Sequence, residues 1–178
     1  MRRPSLRAAL LLSLLLAACS RTPPPPAANR LPLFTGQEAR RKVVLTFPSS
    51  QQGGFVNVER EIYATVSMVA QAKQVLLDLM AGPGPGEGGA SPCFGPDSSF
   101  LEVYLDGKGL AVVDLPSATV AALPGGTSAE VATLYCLVRT LNVNIPQVSR
   151  VQVLIDGQQA ESLRGHVDLL DPLVLSDF

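Results

Sequence analysis

From Lys42 onwards, the hydrophobic pattern of this chain alternates between pairs of strands and amphipathic helices. Residues 43–47 are a compact run of β-branched and aromatic side chains, which predicts a buried strand. Residues 55–63 alternate between apolar and polar side chains, which predicts a second, half-exposed strand. The segment between them is rich in Ser and Gly, so we expect a turn that pairs the two strands.

The first helix is predicted over residues 66–80, where apolar side chains recur every three or four positions. Its polar side is formed by Ser67, Gln71, Gln74 and Asp78. Its apolar side is formed by Val69, Ala72, Leu76, Leu79 and Met80. The helix is expected to stop at Gly82-Pro83. Residues 82–99, dense in Gly and Pro, form a loop longer than typical connections, which is either functional or partly disordered. Its glycine-rich part, residues 82–89, is interpreted as flexible.

The second half of the chain repeats this arrangement. Residues 100–106 and 110–115 predict two strands joined at Asp106-Gly107, which is a hairpin signal. A second helix is expected to begin at Thr127, with Glu130 at the spacing of a capping box. Residues 151–155 predict a fifth strand after that helix. The tail adds one short strand around His166-Val167-Asp168.

The predicted order is therefore β-β-α-β-β-α-β with a tail. Strand pairs that alternate with helices predict an α+β fold, a two-layer sandwich with two helices on one face of a mixed or antiparallel sheet. A split β-α-β-β-α-β unit is the natural arrangement.

One side of the second helix carries only small residues, namely Ala129, Ala132, Thr133, Cys136 and Thr140. A face of this kind lets another backbone approach closely. The Gly/Pro loop, held there through Cys93, or a neighbouring subunit would fit. A plain solvated face is an equal alternative, because Ala is simply a good helix former.

The N-terminus has the layout of a secretory signal. Arg2, Arg3 and Arg7 precede an apolar run at residues 8–16, which is about half the length that spans a bilayer. The run ends in Leu16-Ala17-Ala18-Cys19, a tetrapeptide that resembles the bacterial lipobox. We favour a lipoprotein, with Cys19 carrying a diacylglyceryl group, over an ordinary signal that ends beside a cysteine.

This interpretation divides the chain into a signal peptide at 1–18, a lipid-anchored Pro-rich linker at 19–41 and a domain at 42–178. Four consecutive prolines from Pro23 stiffen the start of the linker, which acts as a stalk. Cleavage leaves 160 residues, enough for one domain and a tail. Because the three arginines of the signal leave with it, the formal charge falls from −1 to −4.

A mildly acidic chain without basic clusters is not expected to bind nucleic acid. Aromatic residues are scarce and Trp is absent, so stacking platforms for bases are not expected either. No second apolar stretch approaches membrane-spanning length. The predicted contact with the membrane is therefore the lipid on Cys19.

Lipidation of Cys19 leaves two further cysteines, Cys93 and Cys136. Outside the cytoplasm such a pair can form a disulfide, and we weigh this slightly above two unpaired structural cysteines. Neither cysteine has the spacing of a zinc or redox motif.

Candidates for catalysis are few. His166 is the one histidine, and Asp168 would point to the same side of a strand, so a His–Asp contact is possible. A structural pair is the preferred interpretation, because no nucleophile motif accompanies it. The glycines of residues 82–89 lack the pattern of a phosphate loop, and no calcium-loop motif is present. We predict no catalytic residue, no cofactor and no metal ion.

Several short segments, in this order and spacing, resemble the GerMN domain over residues 43–172. They are Leu79-Met80-Ala81-Gly82-Pro83, Val112-Val113-Asp114-Leu115, Arg139-Thr140-Leu141, Val151-Gln152-Val153-Leu154-Ile155-Asp156-Gly157 and Leu163-Arg164-Gly165-His166-Val167-Asp168 with Pro172. The resemblance implies an extracytoplasmic α/β domain without known catalysis, similar in architecture to ring-building domains of secretion-type assemblies. It also implies a structural role for His166. The longer Gly/Pro loop and the two cysteines depart from the family pattern.

The favoured hypothesis is a non-enzymatic, lipid-anchored envelope protein that binds envelope protein partners or assembles with itself. The alternative is a binding module for a small ligand or a cell-wall polymer, with residues 82–99 as a lid. Ser20 after the lipidated cysteine favours an outer membrane, facing the periplasm, in a cell with two membranes. In a cell with one membrane, we expect the cell membrane.

Overall fold

The computed structural model describes residues 39–51 and 53–178. They belong to one compact unit, Glu38–Phe178. The predicted signal peptide, the lipidation site Cys19 and the linker up to residue 38 lie outside the described residues. The first strand begins at Arg40, so the last two residues of the predicted linker belong to this strand.

The first sheet has two antiparallel strands, β1 (Arg40–Pro48) and β2 (Phe55–Tyr63). Val44 pairs with Glu59 at the centre of the register. Val43, Leu45 and Phe47 are fully buried, which confirms the first predicted strand. All exposed positions of β2 alternate with buried or half-buried ones, as its sequence period predicts.

Helix α1 (Met68–Met80) follows, with Ser67 as its N-cap; the Ser67 hydroxyl accepts a hydrogen bond from Ala70 N at 3.4 Å. Its buried apolar residues are Ala72, Val75, Leu76, Leu79 and Met80. Gln71, which the sequence places on the polar side, is buried instead, whereas Leu77 is exposed. The buried amide of Gln71 is satisfied because it contacts polar groups of β1 and of a later helix.

The second sheet has four strands in the order β3-β4-β5-β6. Their bounds are Glu102–Leu105, Leu110–Leu115, Arg150–Ile155 and Gln158–Gln159. β3 and β4 form the predicted hairpin, in which the Asp106 carboxylate accepts hydrogen bonds from the backbone N–H groups of Lys108 and Leu110. β4 and β5 are parallel, so the chain crosses over between them through two helices.

These crossover helices are α2 (Ser117–Ala122), which the sequence did not predict, and α3 (Thr127–Asn144). Helix α3 is the centre of the domain, since it packs on β1, α1 and β5. The predicted capping box at Thr127 is wrong. Gly126 is the N-cap without a side-chain bond, because the Glu130 carboxylate is buried against the tail of the chain.

The fold is α+β, as predicted, but its strands are divided between two sheets. The outer edge of β1 meets α3 rather than another strand. There the side chains of Thr140 and Asn144 hydrogen-bond the backbone of Thr46 and Val44. A helix that supplies side-chain partners to a strand edge leaves no room for a neighbouring strand.

The small-residue side of α3 is covered rather than solvated. The Thr133 hydroxyl donates to Cys93 O at 2.8 Å, which brings the Gly/Pro loop onto this face. Further along the same face, Thr140 contacts β1. The first alternative from the sequence, a close approach by the loop, is therefore what the structure shows, with β1 as the second neighbour.

The tail returns along β5 through paired hydrogen bonds between Val151 and Leu173. It ends in a short 3-10 helix, Leu175–Asp177. The expected strand around His166 is instead a turn closed by a single bridge between Ser162 and Asp168. This turn packs against α3, where the Glu130 carboxylate accepts hydrogen bonds from the backbone N–H groups of Arg164 and His166.

Candidate functional site

His166 and Glu130 form the pair that most resembles chemical machinery. His166 Nδ1 lies 2.6 Å from Glu130 Oε1. The Glu130 side chain is completely buried, whereas about half of the His166 side chain is exposed. Because an ionised carboxylate only accepts hydrogen bonds, this contact places a proton on Nδ1.

The Glu130 carboxylate also accepts from the backbone N–H groups of Arg164 and His166, each at 3.3 Å. Burial raises the pKa of Glu130, but the contacts with His166 and these two N–H groups lower it by more. Glu130 is therefore held ionised, and it fastens the 164–166 turn to α3.

Asp168 is not the partner of His166. Its carboxylate accepts from Leu170 N at 2.7 Å and so closes its own local turn. The carboxylate that contacts His166 is that of Glu130, which lies 36 positions away in the sequence. A structural role for His166 stays a prediction, with Glu130 as its partner. Among the residues that the structure describes, no group of three or more His, Cys, Asp and Glu side chains is arranged to hold a metal ion.

Cys93 and Cys136 are both buried thiols in the structure. They interact with each other: the thiol of Cys93 and the burial of the site raise the pKa of Cys136. The fold thus brings together two cysteines that are far apart in sequence. Their pairing as a disulfide stays a prediction.

The Gly/Pro loop is tied to the first sheet by Arg60 of β2. The Arg60 guanidinium donates to both oxygens of Glu87, at 2.9 and 2.6 Å, and to the backbone oxygens of Asp78 and Gly82. Glu87 also accepts from Gly84 N at 2.6 Å. The bond from Arg60 is the main reason why the pKa of Glu87 falls to about 2.

Backbone bonds hold the same loop against β1. Ser50 N donates to Gly89 O and Ser91 N donates to Pro48 O, each at 2.8 Å. Together with the contacts of Arg60 and Thr133, these bonds hold the loop against both the first sheet and α3. The composition of residues 82–89 predicts a flexible loop, whereas in the structure these residues belong to a segment that is anchored to the domain.

A shallow groove of about 430 Å³ lies between the C-terminal end of α1 and the last part of this loop. Its lining is largely apolar and includes Leu77, Met80, Pro92, Phe94 and Pro96.

The sequence patterns do not predict the residues that hold these features. They place Arg60 in an alternating strand, Glu87 in the Gly/Pro loop and Glu130 in a capping box. One sequence signal points to the role of Arg60. In the alternating pattern of β2, Arg60 is on the same side as Val58 and Ile62, which face the interior. A charge on the inner side of a strand needs a partner.

The fold and these contacts define a two-sheet α+β domain built around one central helix, in which the charged side chains fasten loops to the core. The chain belongs to the Germane family, described as "Sporulation and spore germination", whose model matches residues 44–161. This confirms the resemblance to GerMN domains. The family is not known for an enzymatic activity.

Solved structures show the same fold. The chain is similar to the first GerMN domain of the sporulation protein GerM from Bacillus subtilis, with a TM-score of 0.63 at 18% identity over 77% of this chain and 99% of that one. The tandem GerMN domains of GerM give the same TM-score and identity, but the match covers 48% of that chain. This chain thus spans about half of the tandem.

A candidate lipoprotein from Clostridium perfringens is also similar, with a TM-score of 0.55 at 21% identity over 78% of this chain and 90% of that one. Comparison with curated proteins found no match. Among the described residues, we find no helix with the length and apolar character needed to cross a membrane.

Proposed function

We propose that this chain is a non-enzymatic, lipid-anchored protein of the cell envelope, whose Germane domain mediates protein–protein interaction or assembly. The observation that carries the anchoring is the sequence Leu16-Ala17-Ala18-Cys19 at the end of a basic and then apolar N-terminus. A candidate lipoprotein among the structural neighbours supports it. Ser20 favours the outer membrane where the cell has two membranes.

The interaction role is supported by the character of the domain surface. Leu77 and Leu101 are each more than half exposed. The chain enters at Ala39 beside the segment before α1, whereas Leu77 is near the C-terminal end of α1 and Leu101 precedes β3, whose other end adjoins Met68. Both leucines are therefore placed away from the point of entry. Apolar side chains at these positions would face away from the anchoring membrane, towards partners in the envelope. A non-catalytic role fits a domain whose two most buried carboxylate contacts, Arg60–Glu87 and His166–Glu130, fasten loops to the core.

The anchoring is tested by membrane fractionation and by the mass of the N-terminal peptide of the mature protein. We expect the wild-type chain in the membrane fraction, with a diacylglyceryl group on Cys19. Cys19→Ser should move the protein to the soluble fraction, because a lipid chain supplies the hydrophobic free energy of attachment. Cys93→Ser is the matched control and should stay in the membrane fraction. A Cys19→Ser protein that still fractionates with membranes would reject lipid anchoring at this residue.

The interaction is tested by crosslinking in cells that carry the wild-type protein or the Leu77→Asp, Leu101→Asp double variant. We expect crosslinked species with the wild-type protein and their loss in the variant. Identical crosslinking in both proteins would reject a role for this surface. A wild-type protein that forms no crosslinked species and is monomeric in solution would reject the interaction role itself.

Binding of a small ligand or a cell-wall fragment is the second candidate, and the groove beside α1 favours it because its volume lies within the range of ligand sites. Wall fragments would then raise the melting temperature of the domain by mass action. The Phe94→Ala variant should lose this shift. An unchanged melting temperature across a panel of fragments would reject this function.

A further inference from the structure

The chain enters the domain at one end, where the C-terminal end of α3 and two connecting segments also lie. Ala39 O accepts a hydrogen bond from Ala64 N at 2.7 Å, so the incoming chain lies beside the segment that joins β2 to α1. The C-terminal end of α3 is at the same place, because Arg41 donates to Asn144 O at 2.9 Å. The β3–β4 turn lies there too, since Gly107 and Met68 line one small cleft. We call this the entry end.

The segment between β2 and α1 presents apolar side chains to solvent at the entry end. Residues 63–68 are all exposed, and they include Tyr63, Val66 and Met68. Val66 is fully exposed and makes no contribution to the core. An exposed Tyr together with aliphatic and thioether side chains is a composition suited to the boundary between water and lipid.

Cations surround these side chains. They are Arg40, Arg41, Lys42, Lys108 in the β3–β4 turn, and Arg150 at the start of β5. The Arg40 guanidinium stacks on the Tyr63 ring, 4.5 Å from its centroid, and Lys42 is three-quarters exposed. Among the described residues, the acidic neighbours are Glu59 and Glu61 of β2 and Asp106 of the turn. The cations therefore outnumber the acids here, although the whole chain is slightly acidic.

We propose that the entry end docks on an anionic phospholipid surface, with Tyr63, Val66 and Met68 at the lipid boundary and the surrounding cations on the phosphate groups. The proposal rests on the lipid anchoring through Cys19 proposed above. The entry end is the part of the domain that the anchored chain reaches first, and its charge is complementary to an anionic leaflet. Docking would orient the domain, with the groove beside α1 and Leu101 directed away from the membrane.

The affinity needed is small because the tether makes docking intramolecular. Tethering through Cys19 would hold the domain at an effective concentration on the order of a millimolar near its own membrane. Each Lys or Arg near an anionic surface strengthens binding about five-fold, which is the equivalent of about 1 kcal/mol. A few such cations and the apolar side chains are sufficient for a largely docked domain.

The test uses residues 20–178, which carry no lipid, and vesicles of phosphatidylcholine alone or with about a third phosphatidylglycerol. We expect sedimentation with the anionic vesicles at low salt, little with the neutral ones, and a decrease as salt is raised. The Val66→Asp, Met68→Asp variant should lose most of the binding. Lys42→Gln and Lys108→Gln should each reduce it about five-fold.

The matched controls are at the far end of the domain. The Leu77→Asp, Leu101→Asp variant and Arg164→Gln should bind as the wild-type protein does, and circular dichroism reports whether each variant is folded. Absence of binding to anionic vesicles, equal binding to both vesicle types, or an equal loss in the far-end variants would overturn the proposal. Dimerisation lost in the Val66→Asp, Met68→Asp variant would instead assign the surface to a second copy. Because this chain lacks the lipid, the result is independent of whether Cys19 is modified.

Discussion

The side chain of Asn144 in α3 pairs with the backbone of Val44 in β1 as another strand would. Its amide nitrogen donates to Val44 O at 2.7 Å and its oxygen accepts from Val44 N at 2.9 Å. The same nitrogen donates to Thr140 O at 2.7 Å. Asn144 is buried, so these bonds close the edge of the first sheet without water.

We expect Asn144→Ala to lower the free energy of unfolding by about 2–4 kcal/mol, because it leaves backbone groups of Val44 without partners. Asn144→Asp should cost at least as much, since a carboxylate cannot donate to Val44 O. Urea denaturation measures both. Asn142→Ala, which removes one bond to Val148 O, is the control and should cost about 1 kcal/mol. Equal midpoints for the two alanine variants would contradict the pairing.

The Arg60–Glu87 pair predicts a loss of stability in acid. The pKa of Glu87 is about 2 in the folded state against 4.5 as its ordinary value. A lowered folded pKa means that this stabilisation is complete above the ordinary pKa and disappears as the pH falls towards 2. After allowance for solvent screening, we expect about 1–3 kcal/mol from the pair.

Denaturation of Glu87→Gln at several pH values measures this effect. The variant should be less stable than the wild-type protein at neutral pH, and the difference should narrow as the pH approaches 2. Glu59→Gln is the control, since Glu59 and Lys42 are both highly exposed and 3.9 Å apart. If the free energy of unfolding of Glu87→Gln differed from that of the wild-type protein by the same amount at every pH, the proposed ionic contribution would be excluded.

Cys93 and Cys136 are predicted to form a disulfide in protein secreted to an oxidising compartment. Both thiols are buried and interact with each other in the core. Alkylation of the unfolded protein without reductant should then leave both cysteines unmodified in residues 20–178. Under these conditions Cys136→Ala should lower the free energy of unfolding by about 2–4 kcal/mol more than it does in reductant. Complete alkylation of both thiols would refute the pairing.

The strands and long helices could be predicted because their signals are local. β2 coincides with the predicted residues 55–63, since an alternating pattern fixes both the state and the face of each residue. β4 coincides with the predicted residues 110–115, which follow the Asp-Gly hairpin signal. Helix α2 was missed because Ser117–Ala122 is too short to show a period. The boundary of α3 at Thr127 was predicted correctly, although the reason given, a capping box, was wrong.

The contacts that close the fold could not be predicted in the same way. Asn144 reaches Val44 across 100 positions and Thr133 reaches Cys93 across 40. No periodic pattern connects residues at such separations. The division of the strands into two sheets follows from the first of these contacts, and the anchoring of the Gly/Pro loop follows from the second. Composition alone therefore indicated a single sheet and a flexible loop.

The last prediction concerns Glu130 and His166. Glu130→Ala should release the 164–166 turn, because two backbone N–H groups and the His166 ring lose their acceptor together. We expect a loss of about 2–4 kcal/mol and faster amide hydrogen exchange around residues 162–168. His166→Ala keeps both backbone bonds to Glu130, so it should cost about 1–2 kcal/mol and leave the turn protected. Asp168→Ala is the control, since the Asp168 carboxylate accepts a hydrogen bond from Leu170 N and belongs to a separate local turn. If His166→Ala released the turn as fully as Glu130→Ala does, the imidazole rather than the carboxylate would be the group that fastens it.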